Sequence, residues 1–336
     1  MDEQRFPRNF IEFGDRFPDD AACDAYLAQC RWPDGFICPG CGGDRAWTLA
    51  GRRTRECASC GLQTSTTAGT ILHRTRTSLR LWFMATYFLV TDKRGLSALY
   101  LHHRIGVPRY ETAWMMLHKL RRAMVNANRT KLSGEIEVDE TWIGGEQRGL
   151  PGGRTRQGRA AALAVFAVEL HDGKAVRLRI KLVPDDTSES LVGFVKEIAE
   201  PGSTIVTDGW PSYMALPAAG FVHRRIVEGS GKDFRNPVPH VHMAIGNCKA
   251  WLIGTHKGVW RRHLGAYLDE FVFRYNRRRN LGLAFRTLLG YGMGREATTY
   301  KTINGAQDMP KIIYTPSKAT RKANANKAAS VASRIP

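Results

Sequence analysis

Apolar and polar positions along this chain change period three times, and each change marks a new class of element. In the first 35 residues Ala22, Tyr26 and Leu27 recur at helical spacing behind Asp19 and Asp20, which are able to cap a helix. This predicts a helical lead over residues 1–35. Residues 36–70 turn to Cys, Gly, Thr and Arg, which predicts a small hairpin unit too poor in apolar surface to fold without a staple. Within it, residues 47–49 and 54–56 are placed to pair across Ala50-Gly51-Arg52-Arg53. From Ser78 the helical period returns, with Leu81, Ala85, Phe88 and Leu89 three and four apart. A short helix over 96–103, a turn at Ile105-Gly106-Val107 and a helix over 109–124 bearing Trp114, Leu117 and Leu120 give helix-turn-helix order across 76–127. The polar residues 126–133 read as a linker.

Beyond Gly134 the period shortens to that of strands. Residues 135–143 and 175–183 alternate, while 160–170 is a continuous apolar run, so a meander of three strands is expected. A helix opening near Ser188, a buried strand at 203–208, a further strand at 223–228 and helices near 243–253 and 262–279 complete the order βββαβαβα, with a short helix placed after Pro211. This is an α/β domain over 134–290 whose strand ends carry the site. The stretch 311–336 has six Lys or Arg and no acid, and reads as a disordered basic tail.

Length and charge narrow the field. At 336 residues two or three domains are expected, and 50 Lys and Arg against 31 Asp and Glu leave a net charge of +19, which draws the protein to a polyanion. The opening residues lack an apolar signal core and no apolar run approaches the roughly 20 residues of a membrane span. A soluble cytoplasmic, nucleoid-associated protein with double-stranded DNA as partner and no membrane is therefore expected. In the helix-turn-helix segment the cations are Arg104, Arg109, Lys119 and Arg121, with Arg109, Tyr110 and Thr112 placed to reach base edges. An ordinary helical pair with a solvated basic face is the alternative.

Two groups of residues carry chemistry. Cys38-Pro-Gly-Cys41 and Cys57-Ala-Ser-Cys60 stand 15 residues apart, the spacing of two knuckles that aim four thiolates at one structural Zn²⁺. Arg52, Arg53 and Arg55 lie on or beside the hairpin between them, so the ribbon either faces DNA with these cations or only holds the fold. Cys23, Cys30 and Cys248 read as buried thiols. The second group is acidic: Asp139 lies in a strand of buried pattern, and Asp208 ends a second such strand 69 residues later. Carboxylates in that setting need compensation, and Mg²⁺ or Mn²⁺ supplies it in a two-metal phosphoryl transfer. On the next helix Asn247, 39 residues after Asp208, is the candidate third ligand, with Lys249 to orient a phosphate. Glu270 is its rival. Arg274, Arg277 and Arg278 form a basic helix face that either lines a DNA channel or is solvated.

The segments FPDDAACDAYL, the two cysteine knuckles, EIEVDETWIGG, IVTDGWPSY and HVHMAIGNCKAWLIGTHKGV running into HLGAYLDEFVFRYNRR together resemble the insertion-sequence transposases of family 1595, also called ISXO-like. The resemblance covers about residues 15–290. It implies a zinc ribbon joined to a DDE-type domain of RNase H-like fold, recognition of terminal inverted repeats, Mg²⁺-dependent strand cleavage and joining, and catalytic roles for Asp139 and Asp208. Asn247 at the third position departs from the usual Glu of DDE enzymes. Because transposition joins two element ends, a homo-oligomer is expected. The rival reading is a catalytically silent, domesticated DNA-binding regulator.

Overall fold

The computed structural model describes residues 6–49, 53–125, 129–144, 162–227 and 236–304, so Arg52 and the basic tail lie outside the described residues. The chain divides into two compact units. One takes in Met1–Arg129, Trp251–Lys257 and Ala266–Ala306, and the other Thr130–Ala250 and Gly258–Gly265 with the C-terminal residues.

The first unit opens with α1 (Phe10–Arg16) and α2 (Asp20–Arg31). The Asp19 side chain caps α2, accepting from the Ala21 and Ala22 amides. The ribbon follows as three short antiparallel strands, β1 (Ala46–Thr48), β2 (Thr54–Cys57) and β3 (Gln63–Ser65), in that spatial order. The β1–β2 hairpin matches the expected one, whereas β3 is an addition that its polar sequence QTS did not announce. Next come α3 (Leu79–Thr91), α4 (Ala98–Ile105) and α5 (Tyr110–Met124). Gly106 ends α4 in the left-handed conformation at φ 67°, where a side chain is strained, and so makes the turn into α5.

These helices share one core with the C-terminal α9 (Leu281–Met293): Phe13, Phe17, Leu27, Phe83, Leu89, Leu117, Leu120, Phe285 and Leu288 are all buried in it. The lead and the helix-turn-helix segment thus fold as one body instead of beads on a string. Arg121, grouped with the DNA-facing cations in the sequence, is 1% exposed within it.

The second unit holds a five-stranded mixed sheet of spatial order β6-β5-β4-β7-β8. Its strands are β4 (Glu135–Ile143), β5 (Ala162–His171), β6 (Lys174–Val183), β7 (Thr204–Thr207) and β8 (Val222–Arg225). The first three form the expected antiparallel meander, and β7 and β8 then run parallel to β4. α6 (Ser188–Ile198) crosses from β6 to β7 and buries Leu191, Val195 and Ile198 against Ile136, Val138 and Ile205. Between β7 and β8 the expected helix is reduced to two single 3-10 turns. Part of the expected linker already belongs to this unit: Leu132 is fully buried and pairs with Ala199.

Candidate metal centres and nucleic-acid contacts

In the ribbon, the four sulfur atoms of Cys38, Cys41, Cys57 and Cys60 lie within 4.8 Å of one another. Cys38 is 3.7 Å from Cys60 and Cys41 is 3.6 Å from Cys57. Tetrahedral Zn–S bonds of about 2.3 Å place sulfurs about 3.8 Å apart, close to the two separations of 3.7 and 3.6 Å, so the cluster suits zinc. The Gly40 and Ser59 amides donate to Cys38 and Cys57, each at 3.4 Å. Hydrogen bonds from the Cys60 and Ser59 amides lower the Cys57 thiol to about 6, while Cys41, beside the sulfurs of Cys57 and Cys60, is pushed up to about 12, so the charge in the cluster falls first on Cys57. Around the cluster, Arg53 forms an ion pair with Asp20 at 2.7 Å, while Arg55 donates to Thr66 and lies with Arg31 against the Trp32 ring. Two of the three cations expected to face DNA are thus engaged within their own unit.

In the sheet, the β4–β7 register pairs Glu137 with Val206. Asp139 lies two residues beyond Glu137 within β4, and Asp208 directly follows the last residue of β7, two residues beyond Val206. Both are half-buried. Alternation along β4 turns Glu137, Asp139 and Thr141 to one face, and α7 (Pro239–Trp251) meets each of them. The Glu137 carboxylate accepts from the His240 and Val241 amides at 2.7 and 2.8 Å, so it caps the amino end of α7 from a neighbouring strand. His240 Nδ1 lies 2.8 Å from the same carboxylate. Two residues on, His242 Nε2 lies 3.2 Å from Asp139 Oδ2. Lys249 Nζ donates to Thr141 Oγ1 at 2.6 Å. Burial lowers the Lys249 pKa, with the charge of Asp139 acting against that.

On the opposite face, Tyr213 is wholly buried and donates to Glu140 at 2.7 Å. Burial pushes its phenol well up, and the carboxylates of Glu140, Asp139 and Asp208 push the same way, so all three lie within electrostatic reach of one side chain. Asp208 itself accepts from the Trp210 amide at 2.9 Å, which fixes the turn after β7.

The approach of His242 to Asp139 is one the sequence reading did not anticipate. The buried stripe of α7 is Val241, Ala244, Ile245 and Cys248, and His242 and Lys249, seven residues apart, flank it on the Asp139 side. Asn247 lies across the helix from that flank and is exposed. Glu270, its rival, is 0% exposed in the first unit, on α8 (Arg261–Arg277), where it accepts from Arg121 Nε at 2.7 Å. Of the remaining candidates, Arg109 is exposed beside the start of α5 and lines a cavity of about 360 Å³ with Thr112, Thr75 and Lys119. Arg277 lies 4.1 Å over the Phe273 ring, and Arg274 donates to the Asp92 carbonyl. No helix among the described residues is long and apolar enough to cross a membrane.

Comparison with known proteins agrees with this layout. Residues 18–63 match a family described as a transposase zinc-ribbon domain, and residues 131–276 match the ISXO2-like transposase domain. A Halobacterium salinarum protein described as an uncharacterized protein in transposable element ISH50 is 28% identical over 277 residues, 74% of this chain and 88% of that one. Two domain families of IS1595 transposases thus match in order over more than half the sequence, and the chain belongs to the IS1595, ISXO2-like transposase family.

Proposed function

We propose that the chain is an insertion-sequence transposase that binds terminal inverted repeats and target DNA, cuts the strands with water and joins them through the freed 3′ hydroxyl. The observation that carries this reading is the parallel pairing of β4 with β7, with Asp139 in the one strand and Asp208 just past the end of the other, both within electrostatic reach of Tyr213. The strand order, a meander followed by two parallel strands, supports an RNase H-like assignment.

Half-buried paired carboxylates fit Mg²⁺ or Mn²⁺, hard cations that take oxygen ligands. Such ions, when bound, supply activation of an attacking oxygen and stabilisation of a leaving one. The chain's own residues do the positioning. Glu137 fixes the start of α7 against β4, and that phase sets His242 beside Asp139. Lys249, held by Thr141, is placed on the same face to take a phosphate oxygen. We therefore assign the third site position to His242 in preference to Asn247. Joining two ends also requires at least two copies of the chain.

The second reading, a DNA-binding regulator that no longer cuts, draws on one observation: α7 contains no acidic residue. An end-containing duplex separates the two. With Mg²⁺ the native chain should cut it, and Asp139→Asn or Asp208→Asn should lower cleavage roughly 10³-fold while leaving duplex binding within about twofold. Binding by the native chain without any cutting would favour the regulator, and parallel loss of binding and cutting in the variants would remove the metal-ligand role. His242→Ala should cost more cleavage than Asn247→Ala; the reverse order returns the third position to Asn247.

A further inference from the structure

The turn between α7 and α8 holds the most exposed aromatic side chain among the described residues, Trp260, at 77%. Tryptophan is rarely left in water to this extent, because its ring carries a large apolar surface. The backbone that presents it is defined. Lys257 and Gly258 take left-handed φ values of 50° and 134°, a conformation disfavoured for lysine. The Trp260 carbonyl then accepts from the His263 amide at 2.8 Å, in the first turn of α8.

The sequence on either side of Trp260 is one-sided in charge. Between Asp233 and Asp269 the sequence has no acidic residue, and Arg235, Lys249, Lys257, Arg261 and Arg262 fall in that interval. The Arg262 guanidinium carbon lies 5.5 Å from the Trp260 ring centroid. The first turn of α8 carries cations where the helix dipole favours acids. A second copy of this chain, with its own net charge of +19, is a poor occupant for such a surface. A ligand with flat π faces strung on an anionic backbone fits both features at once.

We propose that Trp260 is a base-stacking residue: an unpaired nucleobase of the bound DNA lies on its ring while the neighbouring cations hold the adjoining phosphates. Asp139 and Asp208 belong to the same unit as Trp260, so the stacked base is part of the DNA segment that unit engages. The inference rests on reading the chain as a DNA-acting protein and adds to it a preference for strands that are locally unpaired.

The test uses the full-length, zinc-loaded protein without other divalent metal, so that nothing is cut. Fluorescence anisotropy compares a blunt duplex with a forked duplex of the same sequence that carries a few unpaired bases at one end. The native chain should bind the fork more tightly. Trp260→Ala should weaken fork binding about tenfold, which is about 1.4 kcal/mol, and leave blunt-duplex binding within about twofold. Trp260→Phe, which keeps a ring, should retain most of the preference. The proposal is overturned if the native chain shows no preference for the fork, or if Trp260→Ala weakens both duplexes equally or neither. It is also overturned if the substitution changes only the oligomeric mass, which would make the ring an interface between copies. A protein that stacks unpaired DNA on Trp260 yet never cuts would refute the transposase reading and leave this one standing. A protein that cuts but ignores Trp260 would do the opposite.

Discussion

In the ribbon four donors of one kind, from two tight turns, already stand at the spacing of a bound ion. In the sheet two acids 69 residues apart lie on, or just past the end of, two paired parallel strands, and the phase of α7 sets His242 beside one of them. The first arrangement is closed and local, as suits an ion whose binding energy is folding energy. The second is held by the fold before any ion arrives: Glu137 already caps α7, and Tyr213 already holds Glu140. Metal should therefore be structural in one region and dispensable for folding in the other.

The widest separation between the regions should come from removing a ligand in each. Cys38→Ser leaves three thiolates for a tetrahedral ion, so zinc content measured by metal analysis should fall to near zero and the ribbon should become the first site of proteolysis. Asp139→Asn should leave the thermal unfolding of its unit unchanged or slightly raised, because it removes a charge held near Glu140 and Asp208. Full zinc content in the cysteine variant, or unfolding of the sheet in the aspartate variant, would break the contrast.

A smaller effect separates an acid that serves the fold from one that serves the site. Glu270 and Arg121 form an ion pair at 2.7 Å with both side chains buried, and Arg121 also lies 3.9 Å over the Tyr267 ring. Glu270→Gln strands the Arg121 charge in the core and should destabilise the first unit by about 3–5 kcal/mol, read from denaturant midpoints. If the unfolding midpoint stayed in place and cleavage disappeared, Glu270 would belong with Asp139 and Asp208.

These pairs mark the limits of reading the sequence. The cysteine spacing and the alternation of 135–143 were visible because both are local. The apolar run of β5 was legible for the same reason, since a strand covered on both faces leaves a continuous signal. Arg121 looked like a DNA-facing cation because its partner lies 149 residues away. Helix phase hid His242, the residue proposed above for the third position. α7 offers His240, His242, Asn247 and Lys249 within 13 residues, and only the buried stripe of Val241, Ala244, Ile245 and Cys248 shows which of them turn toward β4. The reduction of the β7–β8 crossover to 3-10 turns had a signal too, in Pro211 and Pro217.

The smallest effect concerns how the ribbon is tied to the helices beside it. Asp20 opens α2, accepts from Ser78 Oγ and the Arg80 amide at 2.5 and 2.9 Å, and pairs with Arg53 of the ribbon. Burial pulls its carboxyl upward, but those hydrogen bonds win and hold it at about 2 against an ordinary 3.8. A carboxyl depressed in the folded state stabilises above the unfolded value, and that contribution is lost as pH falls from about 4 to about 2. Arg53 is half exposed, so solvent screening reduces the expected contribution to about 1 kcal/mol. Asp20→Asn should therefore lower stability by that amount at pH 7, and most of the difference from the native chain should be gone by about pH 2, where the native carboxyl is half protonated. A gap in unfolding free energy that stayed constant between pH 7 and pH 2 would mean that the shape of the Ser78–Arg80 turn, not the charge of Asp20, fastens the ribbon to α3.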